Sequence, residues 1–591
     1  MSLFRSARIN KNVTTRNVGK NSQSLFIMLG ISLALFGAIG SRLAYLQIVQ
    51  GTRYRQQAES NRIRTLPKQP ERGNIFDRHG KILASSRLSH AVYVWPMAPK
   101  NVEWITTRKR LAQILHTPET EIQKRLDKAG YNSPTLVRIA RDLNQAQITA
   151  LAEYHNQLKD VEVYIEAVRE YPNGEIAAHV LGYTGEMNDA ELAKKRKQGY
   201  RLGDIVGQMG VEAAFEQQLR GEWGGQQVEV DGKGRIVRIL GRKQAKPGQD
   251  VRLTLDLNIQ KAAEKALGNR QGAIVALDPR NGAVLAMVSR PDFDPNIFTK
   301  RITSSQWKSL QSKDHPFVNR ALRGFPPAST YKIITTTAGI ESGKFAPNTV
   351  LPTYACMNIG GTRFCDWNLA GFGRLGFAGA LAWSSDTFFY QIGRGIGGQT
   401  LIDWTRRYGF GKKTGIELAS EEARGLVADD KWKRENLDLP WSVGDTVNMS
   451  IGQGFLQVTP LQVAMMFAVP ANGGYLIQPH LLKDNETAKT WRKSLNLKPD
   501  TVRVLRQGLR EVVDGGTGKA LDSPTIPPAS GKSGTAEAFG NKSHTWFGGY
   551  APSNKPEIVV VAFAEHSGGG GGKICAPMVL QVMEAYFKNK K

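Results

Sequence analysis

The residues best placed to do chemistry are Ser329 and Lys332, in the run Pro326-Pro327-Ala328-Ser329-Thr330-Tyr331-Lys332. Two prolines precede a helix more readily than they sit inside one, so the run predicts a helix beginning near Ser329. Three residues is close to one helical turn, which puts both side chains on one face. A serine hydroxyl needs a base beside it to attack a carbonyl, and a lysine amine serves only where burial or positive potential suppresses its charge. The apolar-leaning stretch 333–340 supplies the burial. A helix N-terminus supplies the potential and turns free N–H groups toward a developing oxyanion. The chemistry indicated is acyl transfer through a serine. A second Ser-x-x-Lys, Ser305 to Lys308, lies in a charged stretch with nothing to desolvate its lysine. Ser304 or Ser305 there reads as a helix N-cap.

Two further stretches complete a site. Trp383-Ser384-Ser385-Asp386-Thr387-Phe388-Phe389-Tyr390 places a hydroxyl (Ser384) and a carboxylate (Asp386) just ahead of an aromatic helical segment. Lys532-Ser533-Gly534-Thr535 falls on the first of three late strands. A lysine there would anchor a substrate carboxylate, and Gly534 would let a substrate backbone come close. Thr535 would add a hydroxyl, and a backbone N–H for the oxyanion. The literal Lys413-Thr414-Gly415 follows Gly409-Phe410-Gly411 in a turn-like stretch, and Ser494-Leu495-Asn496 lies in a lysine-rich surface stretch. Neither has a strand or pocket to serve it.

The elements that must position these groups are legible in outline. Residues 251–255 alternate as a strand, 259–267 read as a helix, and 273–277 with 283–288 form a hairpin across an Asn281-Gly282 turn. Late in the chain, 535–539, 545–550 and 558–564 read as consecutive antiparallel strands, and 577–587 as a closing helix. Strands at both ends with helices between them predict one α/β (α+β) layered domain over 248–591, its sheet completed by both termini. A boundary falls near Ala245-Lys246-Pro247-Gly248. Ahead of it, 42–64 reads as a helix, 72–84 as short strands around His79-Gly80, and 107–115, 119–126 and 145–156 as helical. The glycine-punctuated stretches that follow indicate tight turns and a structural role.

The 591 residues are 41% hydrophobic and 22% charged, ordinary globular material, with a net charge of +27. No zinc-finger spacing, RNP-type aromatic motif or basic heptad region accompanies that charge, so nucleic acid is not indicated, and an anionic envelope surface suits it. Residues 21–41 carry no charge, and as a helix would cover about 30 Å, one bilayer core. Arg5, Arg8, Lys11, Arg16 and Lys20 precede them with no acidic residue. The positive-inside rule then predicts a cytoplasmic tail (1–20), an uncleaved anchor (21–46) and export of the remainder. In an exported chain, Cys356 and Cys365 flank Ile359-Gly360-Gly361-Thr362. A Gly-Gly hairpin turn would set the two cysteines opposite each other at about 4.5 Å between Cα atoms, within disulfide reach. Zinc on Cys356, Cys365 and Asp366 is a second reading. Cys575 reads as a buried small hydrophobe.

Ser329-x-x-Lys332, Ser384-x-Asp386 and Lys532-Ser533-Gly534-Thr535, in that order, resemble the three motifs of penicillin-binding proteins and serine β-lactamases. The anchor, the 72–84 segment, Arg169-x-Tyr171-Pro172, Gly210-x-Glu212, Gly444-Asp445 and Gly452-Gln453-Gly454 extend that resemblance to the class B penicillin-binding proteins. Ser385 to Tyr390 and His544-x-Trp546-Phe547-Gly548 look most like their elongation branch. The superfamily more often has Asn where Asp386 stands, and a carboxylate donates to a substrate amide only when protonated.

The resemblance implies a transpeptidase domain (248–591) on a mixed, β-rich pedestal (47–247) that serves dimerisation or partner binding. It implies that Lys332, as free amine, deprotonates Ser329, which attacks the penultimate D-Ala of a peptidoglycan stem peptide. The N–H groups of Ser329 and Thr535 hold the oxyanion, Ser384 relays the leaving-group proton, and an amine of a second stem peptide resolves the acyl-enzyme. Asp386, Lys532, Ser533, Gly534 and Thr535 orient substrate, β-lactams acylate Ser329, and no cofactor is required. The implied partners are a SEDS-type glycan polymerase and elongation-complex proteins at the inner membrane. A D,D-carboxypeptidase or β-lactam sensor would use the same serine, and a catalytically silent envelope scaffold is the non-enzymatic alternative.

Overall fold

The structure, a computed structural model, describes residues 15–55, 63–131, 133, 136–201, 203–230, 236–300, 302–538, 540–588 and 590. The cationic residues Arg5, Arg8 and Lys11 of the expected tail lie outside them. The chain opens in a helix, Thr15–Ala44, continued by a wider turn, Tyr45–Val49. Its side chains from Gln23 onward are almost all exposed, and Gln23–Val49 has a mean hydropathy of 2.0. An apolar helix that packs on nothing is long and apolar enough to cross a bilayer. The expected helix through Arg64 does not hold, because a strand, Ile63–Lys68, begins one residue earlier.

That strand pairs antiparallel with Gly224–Val230, which pairs with Ile236–Lys243. In a second sheet Ile82–Val94 is the long central strand, paired with Ile75–Phe76, Val137–Ala140 and Val161–Glu170. Helices Trp104–Leu115, Glu119–Ala129 and Gln145–Glu153 bury Leu111, Ile122, Leu126 and Leu151 against Val92, Val94 and Ile139. The glycine-rich stretches close around a buried carboxylate. Glu212 receives Arg72 Nε and Arg169 Nε, each at 2.6 Å, and the Tyr171 hydroxyl at 3.2 Å. Removing one partner of such a buried charge cluster is far more costly than the cluster is stabilising.

The strand expected over 251–255 shortens to Val251–Arg252 and pairs in parallel with Ile75–Phe76, so it completes the second sheet rather than opening the catalytic one. Leu253 then bridges Leu482, which stitches the two parts of the chain together.

The large C-terminal part is built on a five-stranded antiparallel sheet in the order Val284–Arg290, Gly272–Leu277, Ile558–Ala564, His544–Ala551, Ser530–Ala536. Its strands from the start of this part and from the end of the chain meet where Gly272–Leu277 pairs with Ile558–Ala564. Alternate residues point to opposite faces, and both faces are covered. Ile274, Val560 and Ala562 pack under Leu257–Leu267 and the last helix, Ala576–Lys588. Val275, Val559, Val561 and Phe563 pack under Lys332–Glu341 and Pro460–Ala471. The helix Pro460–Ala471 is buried on every side, as its uniformly apolar sequence requires. The strand expected over 535–539 instead spans Ser530–Ala536, and Phe539 lies outside the described residues.

Candidate active site

Ser329 does not open the α-helix. It sits in a tighter 3-10 turn, Ala328–Tyr331, and the α-helix runs from Lys332 to Glu341. The prolines withhold two N–H groups, and Ala328 takes a left-handed φ of 50°, which redirects the chain into the turn. The turn is braced from outside and from within. Ala328 N–H donates to Gly452 O at 2.9 Å, and Thr330 Oγ1 donates to Pro327 O at 2.7 Å. Any Cβ at Gly452 would lie 2.2 Å from Ala328 O, so only glycine lets this loop approach. Ser329 is half-buried, and its hydroxyl makes no hydrogen bond among the described residues.

Lys332 is completely buried, as the apolar-leaning stretch predicts. Its ammonium donates to Ser384 O at 2.8 Å, Ser384 Oγ at 3.2 Å and Asp386 Oδ1 at 2.6 Å. Lys332 Nζ is thus tied to Ser384 and Asp386 rather than to Ser329. The reason lies one element away. Ser384 ends the helix Phe377–Trp383 in a left-handed conformation (φ 58°), which turns both its carbonyl and its hydroxyl toward the lysine. Asp386 opens the next helix, Asp386–Ile396, with Ser385 as its N-cap. Asp386 therefore faces the lysine, where a role toward the substrate amide was expected. Burial pushes its carboxyl up from the ordinary aspartate range, and the Lys332 charge opposes that rise.

The third motif lies on the edge strand of the sheet, so one side of its backbone is free to pair with an extended peptide. Lys532 is fully buried, and among the described residues its amine donates only to Ser533 O, at 3.1 Å. Burial first, and the nearby Lys332 charge second, pull its pKa well below the ordinary lysine value. Ser533 Oγ shares a 2.7 Å hydrogen bond with Thr517 Oγ1. A Cβ at Gly534 would lie 3.2 Å from Pro327 O, so glycine lets the strand press against the nucleophile's turn. Thr535 is exposed, and its hydroxyl accepts from Gly571 N–H at 3.4 Å. Ser329, Lys332, Ser384, Asp386 and the Lys532 strand thus meet in one place.

The decoys stay apart from it. Lys413 reaches Ala419 O, Thr414 N–H donates to Glu422 at 2.8 Å, and Ser494 Oγ donates to Asn496 at 2.9 Å. The helix Ser304–Leu310 carries Ser305, and its N-cap is Thr303 rather than Ser304 or Ser305, because Gln306 completes a capping box with it. Cys356 and Cys365 pair in register, with Gly360 and Gly361 both left-handed in the turn, and form a disulfide. Neither thiolate is then free for zinc, and Asp366 turns toward Ser385 and Thr387. Cys575, Trp546 and Phe547 are fully buried in packing, and His544 packs against Phe325, Phe563 and His566. Reading the sequence missed Thr517 and Trp367, and it named Asp366 only as a possible zinc ligand, not as a partner of Ser385 and Thr387. Neither Thr517 nor Trp367 carries a signal in the sequence.

A serine on a braced turn, two buried lysines and an edge strand define a serine acyl-transfer site. Residues 272–584, more than half of the chain, match the penicillin-binding protein transpeptidase domain, and 67–253 match the penicillin-binding protein dimerisation domain. The chain belongs to the class B penicillin-binding proteins. It is 33% identical to peptidoglycan D,D-transpeptidase MrdA of Haemophilus influenzae, an alignment covering 99% of this chain and 94% of that one. Among solved structures it is similar to penicillin-binding protein PBP2 of Helicobacter pylori in complex with MreC, with a TM-score of 0.80, 27% identity, and coverage of 89% of this chain and 99% of that one. A chain of a solved peptidoglycan synthase complex for polymerization and crosslinking matches at a TM-score of 0.71 and 33% identity, covering 96% of this chain and 99% of that one.

Proposed function

We propose that this chain crosslinks peptidoglycan as an elongation-type D,D-transpeptidase, with Ser329 as the nucleophile. Its enzyme class, a serine D-Ala-D-Ala transpeptidase, follows from its relatives. The observation that carries the residue assignment is the meeting of the half-buried Ser329 with buried Lys332 and the Lys532 strand.

The stem peptide lies along the free edge of Ser530–Ala536, with its terminal carboxylate toward Lys532 and Thr535. Lys332 is ion-paired with Asp386, so it must give up a proton before it can serve Ser329. Asp386, whose carboxyl burial already biases toward the protonated form, takes that proton and frees the amine. Ser329 Oγ then loses its proton to Lys332 and attacks the penultimate D-Ala carbonyl. Backbone N–H groups of Ser329 and Thr535 hold the oxyanion, and Ser384 passes a proton to the departing D-Ala. An acceptor amine reverses these steps and regenerates Ser329.

The apolar helix anchors the chain in the inner membrane, with the tail cytoplasmic and the catalytic domain on the far side. Elongation-complex proteins and a SEDS-type glycan polymerase are the expected partners. The solved relatives, one bound to MreC and one in a synthase complex, support that reading.

The test is labelling of the full-length protein with a fluorescent penicillin, followed by mass mapping of the labelled peptide. The label is expected on Ser329 and absent from Ser329→Ala. Label that persists in that variant, or maps to Ser305, overturns the assignment. Product analysis with a donor peptide and an amine acceptor separates transfer from hydrolysis.

A further inference from the structure

Ser384 is a non-glycine residue held at φ 58°, a conformation that costs free energy and persists only where the surroundings impose it. Two consecutive residues outside the three motifs contact both of its flanks. On the side before Ser384, Trp367 Nε1 donates to the Trp383 carbonyl at 3.0 Å. On the side after it, the Asp366 carboxylate accepts from Ser385 Oγ at 2.8 Å and from Thr387 N–H at 3.1 Å. Thr387 Oγ1 lies 3.2 Å from both that carboxylate and the Tyr354 carbonyl.

The segment carrying these groups is itself fixed. Asp366 N–H donates to Ala355 O at 2.8 Å, Tyr354 N–H donates to Thr387 Oγ1 at 3.1 Å, and Cys365 is covalently joined to Cys356. Tyr390, one helical turn beyond Asp386, donates its hydroxyl to Cys365 O at 3.4 Å. Asp366 is 3% exposed, so its bonds are shielded from competing water, whereas Trp367 is 58% exposed and contributes little to the core.

We infer that Asp366 and Trp367 are positioning residues for acylation. From a disulfide-stapled hairpin they hold Ser384 in the left-handed conformation that presents its hydroxyl and carbonyl to Lys332. Among the described residues, none of their hydrogen bonds or ring contacts reaches Ser329 or Ser530–Ala536. Their loss should therefore slow the chemical step and leave initial ligand binding alone. This inference rests on the reading of Ser329, Lys332 and Ser384 given above.

The test uses the full-length detergent-solubilised protein and benzylpenicillin, with stopped-flow separation of the non-covalent dissociation constant from the maximal acylation rate. Asp366→Ala should lower the maximal rate by about 10-fold to 100-fold, the scale of a misplaced reacting group, with the dissociation constant within about 2-fold. Asp366→Asn keeps an acceptor oxygen for Ser385 and Thr387 and should recover most of the rate. Trp367→Phe, at an exposed position that folding tolerates, should slow acylation in the same sense by about 3-fold to 10-fold, as expected for loss of one positioning hydrogen bond. It decides the matter if Asp366→Ala fails to fold. Wild-type rates in Trp367→Phe, or a loss of affinity with an unchanged maximal rate in Asp366→Ala, overturn the inference. A wild-type protein that is never acylated overturns the catalytic reading beneath it instead.

Discussion

At the scale of single residues, the site pairs one well-partnered buried lysine with one that has few partners among the described residues. Lys332 has three acceptors and a carboxylate partner, whereas Lys532 is as deeply buried and has only the neighbouring carbonyl. A buried cation without a counter-ion costs stability, and under the proposed function a substrate carboxylate would supply one to Lys532. Because its folded pKa lies well below 10.5, the unfolded chain binds more protons in the window between those two values. Stability rises with pH through that window, and the full penalty is present below it. Lys532→Met is therefore expected to raise stability at pH 7 by about 1–2 kcal/mol while abolishing productive acylation, as relief of a functional-site cost does. Thermal unfolding and penicillin labelling on the same sample check both halves. Asp386→Asn removes the group that takes the Lys332 proton, and should slow acylation on the order of 10²-fold, within the range for a general acid–base partner. Stopped-flow acylation kinetics at pH 7 measure it, and an unchanged rate would return Asp386 to a substrate-orienting role.

At the scale of elements, the site depends on close approaches that only particular backbones permit. Gly452 faces the nucleophile's turn at φ 76°, where a Cβ would meet Ala328 O at 2.2 Å and Tyr331 Cβ at 2.7 Å. Gly452→Ala should cost more than about 2 kcal/mol, from left-handed strain plus the clash, and should slow acylation because Ser329 moves with the turn. Thermal unfolding and labelling rate report the two effects. The hairpin Cys356–Ile359 with Thr362–Cys365 is a different kind of device, a staple on an exposed loop. Chain-entropy arithmetic for so short a loop gives about 2–3 kcal/mol. Cys356→Ala with Cys365→Ala should lose stability on that scale by thermal unfolding. These element-scale features were unevenly readable. The Gly-Gly turn and the facing cysteines followed from turn chemistry, and 558–564 from its run of apolar β-formers. The 3-10 turn at Ser329 and the edge strand starting at Ser530 did not follow, because both are set by what packs against them. The Gly452 loop braces the first, and pairing with His544–Ala551 defines the second.

At the scale of the whole molecule, carboxylates link the N-terminal part to the catalytic domain. Gly210 N–H donates to Glu421 Oε1 at 2.7 Å, and Ala177 N–H to Glu264 Oε1 at 3.2 Å. Burial lifts each carboxyl to about 7. A folded pKa above the unfolded value of 4.5 contributes stability that is complete below 4.5 and lost as pH rises toward 7. Glu421→Gln should therefore gain on the wild type as pH goes from 5 to 8, read as the difference in melting temperature at each pH. Glu212 behaves oppositely. Burial would raise its pKa, but Arg169 and Arg72 together hold it below 4.5, so its contribution is present above that value and lost in acid. Glu212→Ala should cost about 3–5 kcal/mol, the scale for stranding buried charged partners.

The sequence by itself pointed to the class of chemistry, the order of the three motifs, the apolar N-terminal helix and the two facing cysteines, because each is carried by residue types at short spacing. Only the tertiary structure decided that Asp386 faces Lys332, that Asp366 and Trp367 flank Ser384, and that Val251–Arg252 belongs to the N-terminal sheet. Those facts join residues far apart in the chain or brought together by helix ends, and local propensity does not reach that far.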